Sequence, residues 1–205
     1  KKFNFTNLLI FYPSLRIYIS AKLAGIKNIF AYKFFEKKNL HLVKAAKILT
    51  EKFLGVDDCQ TETNFFIENK KIEKINNEFK NSFKIVIGAG SSGPTTRWGS
   101  DNFAKLINKL NENDDYIFFI LCGPNEKTIE DEIINKLNKK NYIKLSDKKI
   151  IEVVPYLCAC DMYVGNDSFG SHISAQSGKK SIVFLLDSPK AYTDYSKNFF
   201  RLIPE

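Results

Sequence analysis

A chain of 205 residues, 44% hydrophobic and 26% charged, is ordinary for a soluble globular protein and has room for one large or two small domains with a real core. Its 31 basic against 23 acidic residues give +8 at pH 7, which favours anionic partners such as nucleotides, phosphorylated glycolipids or anionic membranes. The lysines are scattered and no nucleic-acid-binding signature accompanies them, so nucleic acid is set aside; no apolar run approaches the ~18 residues of a membrane span.

Leu8 to Tyr12 is a short apolar run ended by Pro13-Ser14, and Ser14 is placed to cap a helix through Leu15, Tyr18, Ile19 and Leu23 to Gly25. Asn28 to Tyr32 reads as a strand and Leu40 to Leu54 as an amphipathic helix closed by Gly55. His41, in its first turn, reads as a solvated surface residue. Asp57 to Asn69 is polar around Phe65-Phe66-Ile67, and Lys70 to Lys80 is a charged helical stretch. A domain boundary is therefore expected between about residues 68 and 82.

From Lys84 the alternation is regular. A strand (Lys84 to Ile87) leads through a Gly/Ser/Thr loop (Gly88 to Gly99) to a helix with Phe103, Leu106, Ile107 and Leu110 on one face. The strand Tyr116 to Cys122 ends at Gly123-Pro124, and a helix aligning Ile129, Ile133, Ile134 and Leu137 follows. A short strand (Tyr142 to Leu145) precedes a helix (Ile150 to Cys160) that Pro155 must kink or shorten. An apolar strand (Met162 to Val164), a short helix (Ser171 to Gln176) and a last strand (Ser181 to Leu186) complete the pattern. Strands alternating with helices predict an α/β fold with a doubly wound parallel sheet.

Four cysteines (Cys59, Cys122, Cys158, Cys160) lack zinc-site spacing and are expected as buried free thiols in a reducing compartment. The chain begins at Lys1 without a Met and is expected to be a fragment.

Two stretches carry the chemistry. In Gly165-Asn166-Asp167-Ser168-Phe169-Gly170-Ser171-His172 an apolar strand stops at a polar turn before a helix. Asp167 and Ser168 suit the helix N-terminus, where free N–H groups and partial positive charge collect; an ordinary capped junction is the plain alternative. Gly88-Ala89-Gly90-Ser91-Ser92-Gly93 matches G-x-G-x-x-G. However, Pro94 and Gly99 interrupt it, and no acidic residue ends the next strand, so neither a dinucleotide fingerprint nor a P-loop fits well. The loop still suits phosphate, with hydroxyls from Ser91, Ser92, Thr95 and Thr96 and a fork of donors from Arg97, one of only three arginines. Trp98 is expected to pack the loop onto its helix.

Gly88-Ala89-Gly90 through Pro94-Thr95-Thr96-Arg97-Trp98 resembles the phosphate loop of glycosyltransferase family 9, the ADP-heptose:lipopolysaccharide heptosyltransferases. Leu121-Cys122-Gly123-Pro124-Asn125-Glu126 and Val164-Gly165-Asn166-Asp167-Ser168 through His172 resemble its Gly-Pro segment and its N-D-[TS]-x-x-x-H motif. Val183 to Pro189 resembles the strand and loop that follow, and Ser14-Leu15-Arg16 through Gly25 a helix of its first domain. The resemblance, over about residues 8–200, implies a GT-B architecture of two Rossmann-like domains. Residues 1–70 would be the end of the acceptor domain and 80–205 the nucleotide-sugar domain, with the general base upstream of Lys1.

By that resemblance Ser91, Ser92, Thr95, Thr96 and Arg97, with Ser168, Gly170 and His172, hold the donor diphosphate. Glu126 meets the ribose, Asp167 the sugar hydroxyls, and the turn from Leu145 to Lys148 the adenine edge. The implied reaction is inverting transfer of heptose from ADP-heptose to a lipopolysaccharide-core, lipid A-linked acceptor, without cofactor or metal, in the cytoplasm with peripheral contact to the inner membrane. Two residues depart from the family: Thr96 where a lysine is common, and Phe169 where glycine often follows N-D-[TS]. They keep open a transferase for another nucleotide sugar or a weakened nucleotide-binding relative. An NAD-dependent oxidoreductase, resting on the glycine match alone, is the remaining alternative.

Overall fold

The computed structural model describes residues 5–12, 14–31, 42–61, 67–112, 115–187, 193 and 195–203. Backbone contacts divide the chain into two units, Lys1–Thr63 and Asn64–Glu205.

In the first unit, parallel strands β1 (Asn7–Ile10) and β2 (Asn28–Ala31) are joined through α1 (Leu15–Leu23). Ser14 caps that helix, its Oγ accepting from the Ile17 N–H at 3.3 Å, and Gly25 leaves it at φ +79°, a conformation that favours a residue without Cβ. Helix α2 (Leu42–Leu54) lays Ala45 and Leu49 against Phe30. Tyr32, Leu40 and His41 lie outside the described residues.

The second unit is a six-stranded parallel sheet: β3 (Phe83–Gly88), β4 (Tyr116–Leu121), β5 (Tyr142–Lys144), β6 (Met162–Asn166), β7 (Lys180–Phe184) and β8 (Phe199–Leu202), ordered β5-β4-β3-β6-β7-β8. The period of two along β3 sends Ile85 and Ile87 to one face and Val86 to the other. Helices α4 (Ser100–Leu110) and α5 (Lys127–Ile134) cover the first face, where Phe103, Ile107, Phe118, Ile120 and Ile133 are fully buried. Helices α3 (Asn69–Glu78), α6 (Ile150–Ala159) and α7 (Phe169–Gln176) cover the second, where Leu157 of α6 joins Val86, Phe119 and Tyr163 of the sheet. Each such phenylalanine or isoleucine contributes roughly 1.5–3 kcal/mol by leaving water. Helices on both faces of a parallel sheet make the doubly wound α/β fold that the alternation predicts.

The charged stretch expected near the boundary is α3, and it belongs to the second unit: Ile72, Ile75 and Phe79 pack with Val153 and Leu157 while the lysines stay outside. Helix α6 runs through Pro155 to Ala159 without being cut short. The N–H that proline lacks would have met the carbonyl of Ile151, a residue 69% exposed and so on the solvent side of the helix. Helix α7 starts at Phe169, two residues before the periodicity places it, because Ser168 rather than Gly170 occupies the capping position. Strand β8 was not foreseen. It is a four-residue edge strand, too short for a periodic signal.

Candidate functional site

In an open parallel sheet, ligands bind outside the carboxyl ends of the strands where the winding direction reverses. Here β3 continues to β4 on one side and β6 to β7 on the other, so the reversal lies between β3 and β6. At this point Gly88, the last residue of β3, pairs with Gly165, the last but one of β6. A Cβ on Gly165 would stand 2.4 Å from the Gly88 carbonyl oxygen, and one on Gly88 would stand 1.8 Å from the Tyr163 hydroxyl. The glycines let the two strand ends close together, and the loops leaving them form one surface.

Asn166, fully buried, fastens those loops. Its Oδ1 accepts from the Trp98 N–H at 3.0 Å and its Nδ2 donates to the Ala89 carbonyl at 2.7 Å. Trp98 stacks on Phe184 at 4.2 Å and meets Phe103 edge-on, so it packs the loop onto α4 as expected.

Within the glycine loop, Glu126 and Arg97 face each other. Glu126 Oε1 accepts from the Ser91 N–H at 2.9 Å and from Arg97 Nη2 at 2.8 Å, and Oε2 accepts from the Gly123 N–H at 2.8 Å. Arg97 Nε and Nη2 also donate to the Ser91 carbonyl, at 3.2 and 2.9 Å. The approach needs Gly90, where a Cβ would lie 2.2 Å from Glu126 Oε2. Glu126, expected at a ribose, thus has both oxygens engaged by the chain itself, and Arg97, expected at a diphosphate, is turned onto the loop. The reason is stoichiometric: the loops after β3 and β4 leave the Ser91 and Gly123 N–H groups and the Ser91 carbonyl needing partners, and these two side chains satisfy them.

The hydroxyls divide similarly. Ser91 is buried, its Oγ 2.5 Å from Thr96 Oγ1, which also donates to the Gly93 carbonyl at 2.8 Å. Thr95 is exposed and its Oγ1 donates to Asp187 Oδ2 at 3.0 Å; Ser92 is exposed. Cys122, beneath the loop, is a buried thiol whose pKa burial pushes up from an ordinary 9.0 to about 12. Cys158 and Cys160 are also buried, whereas Cys59 is only partly so.

Across the reversal, Ser168 caps α7: its N–H donates to Ser171 Oγ at 3.2 Å, and that hydroxyl donates to the Ser168 carbonyl at 2.7 Å. The Ser171 and His172 amides donate to the Ser168 carbonyl at 3.1 and 3.4 Å, and those of Phe169 and Gly170 precede the first intrahelical bond. Tyr163 donates to the Asn166 carbonyl at 3.0 Å, which leaves the Ser168 hydroxyl, 3.2 Å away, to donate to the phenol. Gly170 is required by packing, since a Cβ would lie 2.3 Å from Leu121 Cδ2. Phe169 is 45% exposed at the helix start.

The Asp167 side chain is only 7% exposed, and its Oδ1 meets no aligned hydrogen-bond donor among the described residues. His172 Nε2 lies 3.2 Å from that oxygen, off the hydrogen-bonding direction. A buried carboxylate oxygen without a donor is costly, so such an atom at a helix N-terminus marks a place where a ligand's hydroxyl fits. The other side of His172 meets Tyr195, a residue sequence reasoning missed because it lies in the connection before β8.

The structure therefore brings Ser91, Thr96, Arg97 and Glu126 into one loop network, and Asp167, Ser168, Gly170 and His172 onto the start of α7, with Asn166 tying loop to strand end. Helix α4 opens at Ser100, beyond the glycines, so its N-terminus is not built from them as in a dinucleotide fingerprint.

The model of the family described as glycosyltransferase family 9 (heptosyltransferase) matches residues 20–200. No curated protein matches the chain in sequence. Among solved structures, the ADP-heptose lps heptosyltransferase II of E. coli superposes with a TM-score of 0.71 at 16% identity, covering 96% of this chain and 68% of that one. A family 9 glycosyltransferase from Veillonella parvula gives 0.65 at 15% identity, covering 78% and 49%. E. coli heptosyltransferase WaaC with ADP gives 0.70 at 14% identity, covering 98% and 67%. The chain thus spans between about half and two thirds of the length of these structures. At such identities the likeness is one of fold, and it is the GT-B-like α/β fold.

Proposed function

The chain belongs to glycosyltransferase family 9, the heptosyltransferases, and from that premise we propose that it binds ADP-heptose at the reversal between β3 and β6 for inverting transfer to a lipopolysaccharide-core, lipid A-linked acceptor. The observation that carries this reading is Asp167, a buried carboxylate whose Oδ1 lacks a donor, at the N-terminus of α7 and beside a Gly/Ser/Thr loop. Asp167 receives the sugar hydroxyls. The diphosphate lies between the first-turn amides of α7 and the exposed hydroxyls of Ser92 and Thr95, with Ser168 and His172 at the sugar end.

As the anomeric carbon gains positive character, charge accumulates on the departing diphosphate. Preorganised N–H dipoles at α7 stabilise it without reorganisation, and a base removes the acceptor hydroxyl's proton. No cofactor or metal enters this reading. Glu126 and Arg97 act beneath the loop, holding the backbone that faces the phosphates. Among the described residues no helix is long and apolar enough to cross a membrane. With a net charge of +8, the reading places the protein in the cytoplasm, peripheral to the inner membrane's anionic face.

Titration of the chain with ADP, ADP-heptose, UDP and NAD, with Asp167→Ala alongside, tests this. ADP and ADP-heptose are expected to bind in preference to the others, and Asp167→Ala to abolish the extra affinity due to the sugar. Preference for UDP would change the donor, and binding of NAD alone would end the transferase reading for this site.

One observation favours a second reading, a transferase of lowered turnover. Thr96 stands where relatives commonly carry lysine, and Arg97 is engaged by Glu126 and Ser91, so the loop presents its phosphate side without the usual ammonium. Thr96→Lys is then expected to raise kcat about tenfold or more, the scale of one leaving-group contact; an unchanged kcat would dismiss this reading.

A further inference from the structure

Tyr195 stands outside every motif, yet its side chain ends on the ring that faces Asp167. Its hydroxyl oxygen is 2.5 Å from His172 Nδ1, on the opposite edge of the imidazole from the carboxylate. The two rings stack 18° from parallel, and Phe199 meets both edge-on, so the imidazole cannot turn over without displacing two aromatic neighbours. Gln176, one helical turn after His172 on α7, is a polar neighbour of the same phenol.

Donor and acceptor chemistry then sets the direction of every proton. A carboxylate only accepts, so a neutral His172 faces Asp167 favourably only with its proton on Nε2. Nδ1 is then a bare lone pair that needs a donor, and the phenol supplies it. Burial raises the Tyr195 pKa, which keeps that proton on the phenol. Tyr195 and His172 form a chain of two donors aimed at Asp167, in which the first bond polarises the second.

We propose that Tyr195 is a positioning residue of the donor site: its hydroxyl holds His172 as the Nε2–H tautomer, and the proton so placed fixes the carboxylate of Asp167 to receive the donor's sugar. This rests on the reading of Asp167 as the sugar acceptor. The 3.2 Å contact, off line in the free chain, tightens when sugar hydroxyls draw the carboxylate into register. Without the phenol, the Nδ1–H tautomer becomes accessible and turns a lone pair toward the carboxylate, which then rotates away.

The test has two readouts on the full chain, labelled with ¹⁵N in its two histidines and held at about pH 8.5, some two units above an ordinary histidine pKa. Two-bond ¹H–¹⁵N correlations report the tautomer, with His41→Gln assigning the signals. Wild-type His172 is expected as Nε2–H alone and Tyr195→Phe as a mixture. The affinity for ADP is expected to be unchanged in the variant, while the gain of ADP-heptose over ADP falls about fivefold, the scale of one net hydrogen bond. A wild-type ring found as Nδ1–H or as imidazolium at that pH overturns the proposal without any variant, and this measurement decides the matter should Tyr195→Phe fail to fold. A tautomer unchanged in the variant, or an unchanged sugar gain, overturns it as well. If wild type binds ADP-heptose no tighter than ADP, the sugar-site reading fails separately, and the tautomer comparison still decides what Tyr195 does to His172.

Discussion

Glu126 and Arg97 show how a residue's type can be legible while its partner is not. The scarcity of arginine marks Arg97 as purposeful, and the Gly-Pro segment marks Glu126. Nothing in their spacing says that they meet each other, because the contact spans 29 positions and depends on β3 and β4 ending side by side. Asn166 is hidden for the same reason: its two bonds reach residues 68 and 77 positions away. Glu126→Gln separates the two roles for that carboxylate. The amide keeps one acceptor, but its NH₂ opposes either a backbone N–H or the guanidinium. We expect a loss of about 2 kcal/mol in stability, since three donors to a largely buried charge are disturbed. Urea unfolding with ADP binding measured in parallel decides it: full stability with abolished ADP binding would make Glu126 a ligand contact instead.

At the scale of the element, the paired glycines Gly88 and Gly165, near the carboxyl ends of β3 and β6, matter more than the run that resembles a nucleotide fingerprint. A Cβ at Gly165 would meet three backbone atoms of Gly88 between 2.4 and 2.7 Å, and backbone cannot swing aside as a side chain does. Gly165→Ala is expected to cost 3 kcal/mol or more, roughly the upper end for overpacking, by prising the strands apart at their carboxyl ends. A thermal melt within a few degrees of wild type would refute the close approach. Elements with a strong period, such as α4 with Phe103 and Ile107, were readable from spacing alone. Those set by local competition were not: α7 begins where Ser168 can exchange bonds with Ser171, and β8 forms because β7 offers it an edge.

For the whole molecule, burial of ionisable groups sets a limit at high pH. Cys122 and Cys160 are pushed up from an ordinary 9.0 to about 12, in both cases chiefly by burial, and Tyr163 is raised in the same direction. The native chain holds these protons more tightly than the unfolded one, so the stability they contribute is complete below about pH 9 and is lost as pH rises toward 12. Each thiol is expected to remove roughly 1.4 kcal/mol per pH unit across that window. A denaturant midpoint independent of pH from 9 to 11 would contradict the burial of both thiols. The doubly wound sheet was readable from the alternation of elements, whereas its reversal and the two strands that flank it emerged only from the strand order and the pairing of Gly88 with Gly165.

That same pairing sets an order of events in time. Strand β3 joins its other neighbour, β4, across about thirty residues, but must wait for β6, whose register couples Ile85 to Met162 and so spans most of the unit. During synthesis from the N-terminus, the inner edge of β3 carries Ile85, Val86 and Ile87 unpaired until β6 emerges, a row of open amides on an apolar strand. The surface at the strand ends therefore forms only once β6 has joined β3, and until then this edge is the chain's point of exposure to wrong partners.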